Sequence, residues 1–231
     1  MRLQHTLLFF ISVFCISMSA MAQETVADTL SQKTKYGLRL GVDISKPIRS
    51  LLQDDYTGFE ILGDFRFSEK FYAAAEIGNE QRDFFEPNLN AITSGSYAKI
   101  GVDYNAYNNW FGLNNAIFTG LRYGFATFKQ ELVAYTIYTD NQVLPPSVRV
   151  VNTEFNGLTA HWAELIVGIK TEVVNNLYLS VNVQLKRKIS EDKPENFDNL
   201  YIPGFNATND FSEFGAGYGY SISYLIPLFQ K

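Results

Sequence analysis

The sequence is poor in the residues that carry most thiol, metal and acid–base chemistry. Among its 231 residues there is one cysteine, Cys15, and there are two histidines, His5 and His161. Cys15 lies in an apolar segment at the start, which we predict to be removed, so the folded chain has no disulfide framework and no thiol site. A net charge of −5 without basic clusters argues against a nucleic-acid partner.

Long hydrophobic runs are also missing. No apolar run after residue 22 approaches the roughly 20 residues of a membrane-spanning helix, which argues against a helical membrane protein. The first 22 residues contain Arg2, a short apolar run from Leu7 to Ile16, and small residues before Ala22, which is the pattern of a secretory signal peptide. We therefore predict a signal peptide at residues 1–22, a flexible periplasmic leader at 23–34 and a single barrel domain at 35–231.

Tyrosine, phenylalanine and glycine are abundant, and they occur in alternation. In the closing stretch Phe214–Phe229, large apolar residues from Tyr218 onward alternate with Gly219, Ser221 and Ser223. Successive side chains of a strand point to opposite faces, so this stretch has one apolar face and one nearly bare face. Seven earlier runs have the same period of two, and none has convincing helical spacing. They begin at Tyr36, Gly58, Phe71, Tyr97, Ile117, Trp162 and Leu177.

The predicted connections between these runs alternate in length. The first, third, fifth and seventh are the long ones: Lys46–Thr57, Asn79–Gly95, Gln130–Leu158 and Ile189–Ser212. Outer-membrane barrels have short periplasmic turns and long extracellular loops, so this parity predicts an all-β fold: an antiparallel up-and-down transmembrane β-barrel of about eight strands. The first and last strands must then pair, because a membrane sheet cannot leave an edge open. We expect the fifth connection to continue two strands into a hairpin around Leu144-Pro145-Pro146.

If the apolar faces point outward, the charged residues of the opposite faces line the lumen. This predicted lumen charge network comprises Arg39, Asp43, Glu60, Asp64, Arg66, Glu76, Lys99, Asp103, Arg122, Glu164 and Lys170. Both signs occur in similar number, and buried charges need partners. An eight-stranded barrel is just wide enough for side chains to fill it, so we expect a lumen plugged by ion pairs. A narrow polar pore or proton path is the alternative.

The sequence offers no convincing catalytic, metal-binding or cofactor-binding residue. His161 falls on the same predicted outward strand face as Ala163, and no nucleophile motif accompanies it. We therefore interpret it as a residue at the membrane interface. Asp54 and Asp55 lack the regular ligand spacing of a calcium loop. The glycine-rich segment Gly215–Gly219 lies within a strand rather than before a helix, which argues against a nucleotide-phosphate site.

Aromatic residues collect near the ends of the runs, where amphipathic rings are favoured at the two membrane interfaces. The predicted girdle residues are Phe59, Phe67, Phe71, Tyr104, Phe125 and Tyr218. A soluble lipocalin-like barrel would turn the apolar faces inward instead, and the parity of the connections disfavours it.

Several segments resemble a family of small, uncharacterised outer-membrane β-barrels, a domain of unknown function, from Bacteroidota-type bacteria. They read GVDISKPIRSLLQDDYTGFEI, GLRYGFATF, HWAELIVGIKTEV, ENFDNLYIPGFN and YGYSISYLIPL. The loop segments SKPIRSLL and LYIPGFN are the more specific, because strand periodicity does not demand them. The resemblance implies the fold and the location, and it offers no catalytic residues.

From these observations we expect a non-enzymatic outer-membrane protein that serves as a structural or binding protein, or as an accessory subunit of an outer-membrane assembly. Its expected partners are outer-membrane lipid, the barrel-assembly machinery, and a protein bound through extracellular loops or the barrel wall. No cofactor is expected. A narrow pore, a lipid-modifying enzyme and a soluble ligand-binding barrel remain as alternatives.

Overall fold

Eight long antiparallel strands form the wall of the protein. The computed structural model describes residues 35–107, 115–137, 147–209 and 211–230, so the predicted signal peptide and leader lie outside the described residues. The wall strands are β1 (Lys35–Asp43), β2 (Tyr56–Arg66), β3 (Phe71–Glu86), β4 (Leu89–Asn105), β5 (Ala116–Ile137), β6 (Ser147–Val174), β7 (Leu177–Glu191) and β10 (Phe214–Gln230). A helix, α1 (Ser45–Leu52), and two short strands, β8 (Tyr201–Ile202) and β9 (Asn206–Ala207), complete the fold.

The wall closes on itself in the order β1-β10-β7-β6-β5-β4-β3-β2. The first and last strands pair from Lys35 opposite Gln230 to Asp43 opposite Ser221. The predicted antiparallel eight-stranded barrel is therefore confirmed, as is the pairing that closes it. We call the end of the barrel with Lys35 and Gln230 the terminus end, and the end with α1 and β8–β9 the plug end.

An apolar belt surrounds the outside of the wall. Its exposed side chains include Ile61, Ile77, Ile100, Val102, Leu121, Tyr123, Leu165, Val167, Val181, Val183, Tyr220, Ile222 and Tyr224. All six predicted girdle residues are also exposed. Towards the plug end the outward residues become polar, at Asn79, Ser96, Thr127 and Arg187. Since the charges lie inside and the apolar residues outside, the arrangement is the reverse of a lipocalin-like barrel.

Four strands continue beyond the belt at the plug end. We predicted a long loop at Asn79–Gly95, and this was wrong: β3 runs to Glu86, β4 starts at Leu89, and only Pro87 and Asn88 connect them. Polar residues occupy both faces here, so hydrophobic alternation is lost although the strand persists. The predicted hairpin in the fifth connection is confirmed by β5 and β6, while its apex at Leu144-Pro145-Pro146 lies outside the described residues.

The first connection contains a helix that the strand analysis missed. We interpreted Lys46–Thr57 as a loop, but α1 occupies Ser45–Leu52. Its signal is the spacing of Ile48, Leu51 and Leu52 by three and four residues. Within the described part of the chain, no helix is both long and apolar enough to cross a membrane.

At its start, β1 departs from the predicted alternation of outward-facing and inward-facing side chains. We expected Tyr36 to face outward with Leu38, but the side chain of Tyr36 is buried. A β-bulge between Tyr36 and Gly37 shifts the register against β10. As a result the Tyr36 ring lies 5.1 Å from the Arg66 guanidinium instead of joining the belt.

Candidate functional site: the filled lumen and its plug

The charges nearest the terminus end are organised around Asp64. Its Oδ1 accepts a 2.7 Å hydrogen bond from Arg39 Nε, and its Oδ2 accepts one of 2.6 Å from Lys170 Nζ. All three side chains are buried. The Arg39 guanidinium also lies between two rings, 4.8 Å from Tyr72 and 4.9 Å from Tyr178. One carboxylate therefore neutralises two cations from strands on different sides of the ring.

A second cluster lies deeper in the lumen around Lys99 and Glu76. Lys99 Nζ is 2.5 Å from Glu76 Oε2 and 3.2 Å from Glu60 Oε2, and it is 3.8 Å from Glu164 Oε1. Glu76 Oε1 also accepts from Arg122 Nε at 3.2 Å. The cluster joins cations and carboxylates into a continuous chain of contacts.

Arg122 extends this chain of contacts towards the terminus end, because its Nη1 lies 2.7 Å from Asp103 Oδ1. With Asp103 included, nine of the eleven predicted lumen residues have an ion-pair partner from the same set. Ten of the eleven are buried, and Glu76 is half-buried.

The remaining two predicted lumen residues contact the backbone instead. Asp43 Oδ1 accepts from the backbone N–H of Ser45 at 2.7 Å and of Tyr220 at 3.3 Å, so it fixes the start of α1. Arg66 donates to the carbonyls of Ser68 and Glu69 and so holds the turn between β2 and β3.

At the plug end the lumen is filled by a folded-back connection that packs against wall side chains. The turn Ile202–Phe205, between β8 and β9, inserts so that Ile202 and Phe205 are buried against Tyr97, Phe128 and Trp162. The Phe205 and Trp162 rings meet edge to face with centroids 6.1 Å apart. We call residues Tyr201–Asn206 the plug.

The sequence of the plug explains its turn. Phe205 N–H donates to Ile202 C=O at 3.0 Å, and Pro203 and Gly204 occupy the two central positions. A type II turn prefers this order, because its third residue needs a positive φ. Gly204 has φ +79°, and a Cβ there would lie 2.6 Å from the Tyr97 ring. Both the turn and the close packing therefore require glycine.

Glu80 connects the plug to α1 and to the wall. This fully buried carboxylate accepts from Tyr56 Oη at 2.9 Å, from Tyr201 Oη at 2.7 Å and from the Gly204 N–H at 2.9 Å, and it forms an ion pair with Lys46 of α1. Burial by itself raises the pKa of Glu80, but the Lys46 charge and the hydrogen bonds outweigh it and lower the pKa to about 2. The pKa of Tyr201 is raised, first by burial and then by the neighbouring Glu80 charge.

Two further side chains hold the plug segment, and neither belongs to the predicted lumen charge network. Lys186 Nζ, buried in β7, donates to Gly204 C=O at 2.7 Å. Gln130, buried in β5, donates to Asp198 C=O at 2.9 Å and accepts from Leu200 N–H at 3.1 Å. Lys186 occupies a lumen-facing position in the alternation of β7, so the sequence pattern did indicate that it lies in the lumen. Glu80 lies where both faces of β3 are polar, so parity could not distinguish it.

Two small spaces lie among the lumen charges of the described residues. A space of about 40 Å³ is lined by Asp64, Glu76, Asp103, Arg122 and Lys170 among other residues, which gives room for about three water molecules. At the terminus end, a space of about 10 Å³ borders Arg39 and the rings of Tyr72 and Tyr178.

Two other sequence candidates, His161 and Asp55, lie outside the lumen. His161 is on the outer face, where its Nδ1 is 2.8 Å from Tyr123 Oη and its ring packs 4.9 Å from Phe125. Asp55 pairs with Arg82. Within the ranges that the structure describes, no three His, Cys, Asp or Glu side chains are grouped as metal ligands.

The fold and the site together define a closed, antiparallel β-barrel with a charged, filled interior and a plug folded into one mouth. The chain belongs to the family described as a domain of unknown function, DUF6048, whose model matches residues 2–231. No curated protein matches the sequence.

The solved structures that are similar to this chain include the following two. Ail, the attachment invasion locus protein of Yersinia pestis, is 7% identical, with 83% of this chain and 97% of that chain covered at a TM-score of 0.39. CarO2 of Acinetobacter baumannii is 10% identical, with 85% and 100% covered at a TM-score of 0.37.

Proposed function

We propose that this protein is a non-enzymatic, integral outer-membrane barrel that carries a binding surface outside the cell, as a binding protein or an accessory subunit of a larger assembly. The apolar belt supports the location. Such a belt would be unfavourable in water, whereas a membrane barrel needs an apolar band about 25 Å tall facing lipid. The wall strands have from 9 to 28 residues, and about 9–11 are enough to cross.

The contents of the lumen favour a closed barrel over a pore. Ion pairs from opposite sides of the ring cross the interior, and the plug fills the mouth at the plug end. A conducting path would require several of these contacts to open together. The position of His161 supports a non-enzymatic role, because its polar partner is a tyrosine on the lipid-facing side.

The observation that carries the binding role is the ribbon formed by β5 and β6 beyond the belt. On the side of β6 away from β5, β7 pairs only from Ala160 onward, so Ser147–Leu158 has no strand neighbour there among the described residues. Val148 and Val150 are 62% and 70% exposed. An unpaired edge with exposed β-branched residues can add a strand from another protein.

The membrane location and the closed lumen are tested together. The purified chain is reconstituted in vesicles and in planar bilayers. We expect heat-modifiable migration in gels, which marks a folded barrel, and no ion conductance. Recovery of the native protein in the soluble periplasmic fraction would contradict the location, and steady single-channel currents would contradict the closed lumen.

The binding role is tested by purifying the tagged full chain in mild detergent from its native outer membrane. We expect a protein that co-purifies with the wild type and is lost from the double variant Val148→Glu/Val150→Glu. The matched control, Asn79→Glu/Thr127→Glu, adds the same charge to the outer wall and should retain the partner. A chain that purifies alone, or a partner that both variants keep equally, would refute binding through the ribbon.

We also infer a Bacteroidota-type bacterial origin, which rests on the resemblance of the loop segments SKPIRSLL and LYIPGFN.

A further inference from the structure

The helix α1 occupies a gap in the wall of the barrel. β1 is the shortest wall strand, with 9 residues, whereas its neighbours β2 and β10 have 11 and 17. The Ile44 N–H donates to Tyr220 C=O at 2.7 Å, so the helix begins at the level of a belt residue. Beyond that level α1, rather than a strand, lies beside β2.

One side of α1 is bound to the barrel. Lys46 reaches inward to Glu80, and the Arg49 guanidinium stacks 3.9 Å from the centre of the Tyr56 ring. Ser50 Oγ accepts a hydrogen bond of 3.0 Å from the Gly58 N–H of β2. These contacts fix the rotation of the helix about its axis and therefore determine which residues face away from the barrel.

The opposite side of α1 is apolar and is left exposed by the residues that the structure describes. Ile48, Leu51 and Leu52 have the spacing of a single helical face, and they are 47%, 85% and 79% exposed. Leucine is rarely left so exposed in a group, and a grouped apolar face marks an interaction site.

The position of this face along the barrel axis indicates what it contacts. Ser50 binds Gly58, which directly precedes the belt ring Phe59 on β2. The face therefore adjoins the plug-end edge of the belt and does not lie at the tip of the extended strands. Amphipathic helices in a membrane interface bury their apolar face about 5–10 Å into the boundary between headgroups and acyl chains.

We propose that the face formed by Ile48, Leu51 and Leu52 inserts into the outer leaflet and makes α1 an in-plane lipid anchor at the edge of the barrel. Lipid is favoured over a protein partner because the face continues the belt. The anchor also supports the plug, since Lys46 on the same helix holds Glu80. This inference rests on the proposed membrane location.

The experiment uses single-cysteine variants, because Cys15 is the one cysteine of the chain. In a Cys15→Ser background, Leu51→Cys and Leu52→Cys are labelled with an environment-sensitive fluorophore, and the full barrel is reconstituted in vesicles containing lipids with a quencher near the headgroup. Val181→Cys, in the belt, is the lipid-facing reference. Asp54→Cys, just after the helix, and Thr153→Cys, on the ribbon, are the water-facing controls.

We expect emission at shorter wavelength and several-fold stronger quenching at residues 51 and 52 than at residues 54 and 153. Water-like emission at residues 51 and 52 with lipid-like emission at Val181→Cys would overturn the anchor, leave the membrane location intact, and indicate a protein partner for this face. Water-like emission at all these positions would overturn the membrane location and the anchor with it.

Discussion

The two halves of the lumen are filled in different ways. In the terminus-end half, side chains of the wall strands meet each other, as Arg39 and Lys170 do at Asp64. At the plug end the wall instead receives a separate segment, in which Ile202 and Phe205 pack against Trp162. The first half is charged and the second is largely apolar, with Glu80 and Lys186 as buried ions beside the plug.

The two halves therefore differ in how far the loss of one contact affects the rest of the barrel. The wall pairs belong to strands in continuous hydrogen-bonded ladders, so they can separate only if the barrel opens. The plug belongs to a connection, and its attachments can break while the wall remains intact. We therefore expect changes in the terminus-end half to affect the whole barrel, and changes at the plug end to act locally.

The largest effect is expected from Asp64→Ala. Removing this carboxylate leaves Arg39 and Lys170 buried without their shared partner, which should lower the free energy of unfolding by about 3–5 kcal/mol. Urea unfolding of the barrel in detergent or vesicles measures it. The control is Glu154→Ala, which breaks the exposed pair with Lys129 and should cause no measurable change. Equal stability of the two variants would contradict the role of the buried network.

The next effect is expected at Glu80. Its pKa is about 2, below the ordinary 4.5, so its contribution is fully present above about pH 4.5 and is lost as the pH falls towards 2. A depression of this size corresponds to about 3 kcal/mol. In a Trp110→Phe background, iodide quenching of Trp162 reports plug opening. The wild type should become quenchable only in that acid range, and Glu80→Gln should be quenchable already at pH 7.

The matched control is Glu86→Gln, at the exposed end of the same strand, which should behave as the wild type. A Glu80→Gln protein that keeps Trp162 protected and retains the acid transition would show that Glu80 does not hold the plug.

The smallest effect is the difference in cost between alanine substitutions at two glycines with similar backbones. Gly204 and Gly157 have φ values of +79° and +72°, but a Cβ at Gly204 would meet the Tyr97 ring, whereas nothing lies within 4 Å at Gly157. Gly157→Ala should cost about 1–2 kcal/mol for the left-handed backbone alone. Gly204→Ala should cost about 1–3 kcal/mol more through overpacking, seen as faster amide exchange in the plug. Equal costs would mean that the plug packs loosely against Tyr97.

The alternation of apolar and polar residues along the strands predicted much of the fold and part of the site. Gly219 and Ser221 face the lumen as their spacing required, and a Cβ at Gly219 would lie 3.0 Å from Asp43 Oδ2. Alternation gave no signal where both faces are polar, at Glu80, or where a short helix replaces a strand, at α1. Eight residues of helical spacing are too few to stand out beside runs with a period of two.

The alternation in the sequence set the strand period and, away from the bulge at Tyr36 and the segment of β3 with two polar faces, the side of the wall on which the side chains lie. That period fixed an apolar outside and a charged inside, because a strand alternates its faces. Closure of the ring decided which charges meet, since it brings together residues as distant as Asp64 and Lys170, 106 positions apart. It alone also decided that LYIPGFN turns back into the mouth, because the apolar surface that buries Ile202 and Phe205 exists only once the wall has closed.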